Sequence, residues 1–270
     1  MTYSIVAYDR DTEAWGVAVA SKFLAVGAIV PWARSKRGAI ATQARANVRY
    51  GIEGIELLAT KTAKEVINIL TSNDPLREER QVGIVDRYGN AAAFTGRKCI
   101  EFAGHLLGDG FSVQGNILAS EEVIERMAKE FETSRGKFYE KLIRSLEAGE
   151  NAGGDKRGKQ SAAILVVKEN AGYDGNNDIM MNLRVDDSKE PLKELRRLIE
   201  IWEALFLPEE MIDIKDYEIY IKEALRKLNY DSLEKWININ NFEMKYDGKR
   251  LGKSVLKILL KEANIEINLF

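Results

Sequence analysis

The sequence holds one cysteine, Cys99, and one histidine, His105. A single thiol excludes an intrachain disulfide and a cysteine-built zinc site, and a single imidazole excludes a His-rich metal centre. A Ser-His-Asp arrangement would have to run through His105, whose surroundings, FAGHLLG, do not resemble a nucleophile elbow. No GxGxxG or Walker-type loop occurs, so a nucleotide has no support, and no cofactor or metal is expected. An excess of charge of one sign is lacking too: the formal net charge is -2, which gives no general attraction to nucleic acid or to an anionic membrane. No apolar run is long enough to span a bilayer, and the first twenty residues lack a basic segment followed by an apolar one. A cytoplasmic protein with neither a nucleic-acid nor a membrane partner is therefore expected.

What the sequence does contain is a soluble, core-forming composition, 45% hydrophobic and 30% charged over 270 residues. That is enough for one large domain or two unequal ones. SIVAY reads as a buried strand, DRDTEAW as a turn and GVAVAS as a second strand, so the first twenty residues predict a hairpin. GAIATQA at 38–44 is a third strand, after which Ile55, Leu58, Ala59, Thr62, Val66, Ile69 and Leu70 recur at helical spacing. RQVGIVDRYGNAAAFTG is a further hairpin, its turn lying within Asp86, Arg87, Tyr88, Gly89 and Asn90. Strand FSVQGNILA is followed by helix EEVIERMAKEFE, with Ser120 as the expected N-cap, and by a second helix ending at Gly153 and Gly154. SAAILVV and MMNLRVDD are strands, and Pro191 starts another helix. Strands that come as adjacent hairpins argue for antiparallel sheets covered by helices, an α+β fold, and against a doubly wound parallel sheet. Beyond Pro208 the chain becomes helical and Lys-rich, with Trp236, Phe242 and Leu251 as expected core, so the domains are read as 1–207 and 208–270.

Thr2 stands at the head of the first strand. A start methionine before a small residue is the usual substrate of co-translational trimming, and removal of Met1 would put a hydroxyl and a free amine on Thr2. An α-amino group titrating near 7.7–8.0 can act as general base for that hydroxyl's attack on an amide or ester carbonyl, without histidine. Lys22, at the end of the second strand, reads on spacing alone as a solvated strand-end lysine, and turned to Thr2 it is the expected electrostatic partner, favouring the neutral amine and the developing alkoxide. Ser21 is its neighbour, but successive strand residues point to opposite faces, so only one of the two is expected to face the site. NAGGDKRGKQSAA gathers Asp155, Arg157 and Gln160 ahead of an apolar strand and reads either as a site loop or as a solvated connection. VQGNIL sets Gln114 and Asn116 around a strand glycine, which reads either as a place of close backbone approach or as amide recognition of a ligand. The paired acids of LRVDD either recognise substrate or make a turn. Cys99 reads as a small buried hydrophobe and His105 as structural.

TYSIVAYD, GVAVASKFLAVGAIVPWAR, ATQARANVRYG, RQVGIVD, QGNILA, GGDKRGKQSAA and LRVDD, in that order, resemble domain-of-unknown-function family 1028, which is assigned to the N-terminal nucleophile (Ntn) hydrolases. The resemblance runs from Thr2 to about Leu205. It implies a four-layer αββα sandwich of two antiparallel sheets, with the first residue of the mature chain as nucleophile acting on amide bonds; the matching position is Thr2. The superfamily often frees its nucleophile by cleaving a propeptide, whereas here only Met1 precedes it. ALRKLNYDSLEKWININNFEMKYDGK resembles the small helical segment labelled peptidoglycan-binding-like and is read as a structural or oligomer-forming element, so a homo-oligomer is among the expected assemblies.

Two functions follow as expectations. The first is an amidohydrolase of the Ntn type acting on a small amide or peptide-like molecule, with Thr2 and Lys22 catalytic and Ser21, Gln114, Asn116, Asp155, Arg157 and Gln160 binding substrate or oxyanion. The alternative is a non-catalytic binding or scaffolding protein that keeps the sandwich.

Overall fold

A computed structural model of the chain describes residues 2–267, which form two compact units divided between Leu195 and Arg196. The first is built on two antiparallel sheets. β1 (Thr2–Asp9) and β2 (Ala14–Ser21) form the expected hairpin, and β3 (Pro31–Arg34) and β4 (Gly38–Ala44) form a second. α1 (Val48–Leu57) and α2 (Ala63–Ser72) follow, then β5 (Arg80–Asp86) and β6 (Ala91–Thr95), β7 (Gly104–Gly108) and β8 (Phe111–Asn116). α3 (Glu122–Thr133), α4 (Phe138–Asn151), β9 (Ser161–Val167) and β10 (Ile179–Val185) complete the unit, and α5 (Pro191–Phe206) runs across the division. One sheet has six strands in the order β10-β9-β2-β1-β8-β7, and the other has four in the order β3-β4-β5-β6.

Alternation along the strands assigns each face a neighbour. Val6, Val17, Val19 and Ala163 of the six-stranded sheet meet Ala39, Ala41 and Val85 of the four-stranded sheet, so the two sheets share a core. The outward residues of the smaller sheet, Ile40, Val82 and Ile84, bury Ile55 of α1, Leu58 at its C-cap, and Val66 and Leu70 of α2. On the outer face of the larger sheet lie α3 and α4. Gly16 permits α4 to close on β2: a Cβ there would stand 2.6 Å from Leu142 Cδ1. The helical periodicity of 51–74 is divided in two because Thr62 and Glu65 form a capping box that starts α2 afresh. Ser120 does not cap α3; the cap position is Glu121, one residue on, and no side chain bonds the helix start there. The turn after β5 is held by the Asp86 carboxylate, whose Oδ1 accepts the N–H groups of Tyr88 and Asn90.

The second unit holds β11 (Met211–Asp213), α6 (Glu218–Lys227), α7 (Leu233–Ile239), β12 (Arg250–Gly252) and α8 (Lys253–Glu262). Its core is Trp236, stacked on Phe242 with 5.6 Å between ring centroids, together with Leu251, Val255 and Leu259. Glu209 caps α8 from outside the helix, accepting the N–H and the hydroxyl of Ser254. No helix among the described residues is long and apolar enough to cross a membrane.

Candidate active site

Thr2 lies at the end of a central strand with β8 on one side and β2 on the other. The registers set Thr2 opposite Asn116, and Ser21 opposite Ser161. Four polar side chains thus stand in one row across β8, β1, β2 and β9, on the face turned to the other sheet, because Thr2 and Ser21 share parity with Val6 and Val19. Thr2 Oγ1 and Ser21 Oγ lie 3.1 Å apart and share a hydrogen bond. Ser161 Oγ accepts the Val26 N–H at 3.1 Å and donates to the Phe23 carbonyl, fixing the segment that follows β2. Of the pair Ser21 and Lys22, it is Ser21 that faces Thr2. The Lys22 ammonium donates to the Lys159 carbonyl at 3.3 Å and is exposed to solvent. Met1, whose removal would free the Thr2 nitrogen as an amine, lies outside the described residues.

Behind Thr2 the space between the sheets is filled by buried amides and hydroxyls. Gln43 Nε2 donates to the Thr2 carbonyl at 3.3 Å and to Gln81 Oε1 at 2.8 Å, while Gln43 Oε1 accepts the Ser4 hydroxyl at 2.6 Å. Asn116 Nδ2 also donates to Gln81 Oε1, at 2.9 Å. Gln81 Nε2 reaches the Gly115 and Gly104 carbonyls and Thr95 Oγ1. Gln114 binds Ser4 through Nε2 and Ser112 through Oε1. Gln114 is fully buried and its amide is spent inside the protein, and Gly83 opposite makes room for it, since a Cβ there would stand 2.0 Å from Gln114 Oε1. Gln43, Gln81 and Ser4 do not stand out in the linear sequence. Their signal is parity: each is a polar residue at an inward position of a strand whose other inward residues are small or apolar.

The loop between α4 and β9 comes to the edge of this row. Asp155 accepts the Lys22 N–H at 2.7 Å and the Arg157 N–H at 2.9 Å, and the Arg157 guanidinium stands 3.5 Å from the same carboxylate. The Gln160 N–H donates to the Ser21 carbonyl, and the Gln160 side-chain amide donates to Asp187, the second acid of LRVDD. Asp186, the first, pairs with Arg184. Asp155, Arg157 and Gln160 are therefore brought to the strand end that holds Ser21, with Asp155 as the buried anchor of the loop and Arg157 partly in solvent.

His105, in β7, is held below the usual imidazole range by burial and shares a 2.8 Å hydrogen bond with Thr95 Oγ1, at the far end of the amide chain. Burial raises the Cys99 thiol, which donates to the Arg80 carbonyl. Among the described residues no group of three or more His, Cys, Asp or Glu is placed to hold a metal ion.

Residues 2–195 match the family model described as "Family of unknown function (DUF1028)", and residues 205–259 match the model described as "Putative peptidoglycan binding domain". A crystal structure of protein SPO2555 from Silicibacter pomeroyi, assigned to the same DUF1028 family, is similar at 31% identity and a TM-score of 0.69, covering 75% of this chain and 89% of that one. No curated protein matches.

Proposed function

Because the chain belongs to the DUF1028 family, whose function is unknown, its activity has to be read from the site itself, and we propose that it is an Ntn-type amidohydrolase with Thr2 as nucleophile. The observation that carries the reading is the 3.1 Å hydrogen bond between Thr2 Oγ1 and Ser21 Oγ at the head of a central strand. Support for the wider assignment comes from the packing order, helices on sheet on sheet on helices, which agrees with the four-layer αββα sandwich of that superfamily.

In this mechanism trimming of Met1 frees the Thr2 amine, which takes the hydroxyl proton as Oγ1 attacks the substrate carbonyl. The acyl group forms an ester with Thr2, the amine product leaves with the proton, and water then hydrolyses the ester. Ser21 orients the attacking oxygen, and Gln43 holds the Thr2 carbonyl from behind. Lys22 acts as electrostatic partner only by leaving the Lys159 carbonyl. Asp155, Arg157 and Gln160 frame the rim where a small amide or peptide-like substrate would enter.

The test combines the intact mass of the untagged protein with hydrolysis of a small-amide library by wild type and Thr2→Ala. Loss of Met1 and loss of turnover in Thr2→Ala are expected; unchanged turnover in the variant overturns the mechanism. A second reading, a non-catalytic binding protein, is favoured by the burial of Thr2, only 6% exposed. It predicts retained Met1 and saturable binding without turnover.

A further inference from the structure

The opposite face of β1 borders a second polar cluster, which shares Ser21 and Asp155 with the surroundings of Thr2. Tyr3 points away from the inter-sheet core, its ring beside Gly149 of α4 and Gly154 of the loop, and is only 3% exposed. Its hydroxyl lies on the loop side, 3.5 Å from where a Cβ of Gly154 would stand. Glu150, in the last turn of α4, pairs through Oε1 with Lys159 Nζ at 2.9 Å, while its Oε2 is buried without a partner. Tyr3, Ser21, Glu150, Asp155 and Lys159 line a cavity of about 90 Å³.

Buried polar atoms are satisfied in nearly all native proteins, so the orphaned Glu150 Oε2 beside this cavity points to an occupant that donates to it, with the Tyr3 hydroxyl within the same lining. The lining decides its chemistry. Lys159 disfavours a cation, and Glu150 and Asp155 disfavour an anion. What remains is a neutral group able to donate to Glu150 Oε2 and to exchange hydrogen bonds with Tyr3. The Tyr3 phenol stays protonated, since burial, then Glu150 and Asp155, hold its pKa well above the usual value. The volume is ample for ordered water, which needs only about 10–15 Å³ of such space.

We infer that this cavity is a buried water site in which ordered water bridges Glu150 Oε2 and the Tyr3 hydroxyl and so pins the loop of 152–160 to β1. The loop in turn binds the Ser21 carbonyl through the Gln160 N–H and the Lys22 N–H through Asp155. The bridge therefore registers the strand end holding Ser21 from the side opposite to Thr2 Oγ1.

A high-resolution crystal structure of the full chain tests the occupant. Water oxygens within hydrogen-bond distance of both Glu150 Oε2 and Tyr3 Oη are expected. A void, a metal or ammonium ion, or a rearrangement giving Glu150 a protein donor overturns the inference. A thermal-unfolding cycle tests the bridge in solution. Tyr3→Phe should lower Tm by about 2–4 °C, as a loss near 1 kcal/mol does in a domain of this size. That shift should at least halve in a Glu150→Ala background, because the bridge is already broken there. The Lys159 pair, common to both arms, cancels. Fully additive shifts would mean that hydroxyl and carboxylate share no water.

Discussion

The two ends of the space between the sheets are built on the same alternation and filled with opposite chemistry. At one end Val6, Val17, Val19, Ala39, Ala41 and Val85 close on one another without polar atoms. At the other, Ser4, Gln43, Gln81, Gln114 and Asn116 occupy equivalent inward positions, each at most 1% exposed. The apolar end tolerates any side chains of suitable volume, whereas the amide end is stable only while its donors find acceptors, because an orphaned amide in a dry interior loses its hydration with nothing in return. A polar core at one end of a sandwich marks the end where geometry is specified more tightly than packing demands, and here that end supports Thr2.

Substitutions of decreasing severity can break or sharpen this contrast. Gln81→Leu should have the largest effect, about 3 kcal/mol or more, since Gln81 accepts from Gln43 and Asn116 and serves two carbonyls that would lose their donor. Urea unfolding measures it; a loss below that of an apolar truncation would mean that the amide network adapts. Val19→Ala, at the apolar end, should cost about 2 kcal/mol through lost burial and the space left behind, with the Thr2 site unaffected.

Ser21→Ala should cost only about 1 kcal/mol, the worth of one hydrogen bond, yet should change reactivity at Thr2 far more than Val19→Ala does. Electrophilic labelling of the trimmed protein, followed by mass spectrometry, distinguishes the two; equal labelling would remove Ser21 from the site.

The smallest effect concerns pH. Burial lowers the His105 pKa in the folded protein, so below the unfolded value near 6.5 the unfolded chain binds a proton that the folded chain does not. Stability contributed by neutral His105 is therefore intact above pH 7 and declines as pH falls through 6.5. His105→Asn should flatten the denaturation midpoint between pH 7 and 5; an unchanged slope would assign the dependence to other groups.

Much of the fold is legible in the chain because local signals act over a few residues. The hairpin of β1 and β2, the Asp86 turn and the end of α4 at Gly153, which adopts a φ of 106°, follow from alternation, turn chemistry and a glycine C-cap. β3 and β7 escape such reading. Trp32 and Leu107 give little alternation, and these edge strands are defined by their partners β4 and β8. At the candidate site, Thr2, Ser21, Asp155, Arg157 and Gln160 are visible as residue types, and strand parity anticipates that Ser21 and Lys22 diverge. The fate of Gln114 is not visible, since an amide in a strand looks the same whether it awaits a ligand or a neighbour.

By itself, then, the sequence determines which residues alternate, where the chain turns and which hydroxyl heads the first strand, because these depend on neighbours a few positions away. Only the tertiary structure decides that Thr2 meets Ser21, that Gln43 and Gln81 stand behind it and that Lys22 turns to the Lys159 carbonyl. Those partners lie from 19 to 137 residues apart along the chain, and sheet register, which the whole core sets at once, brings them together.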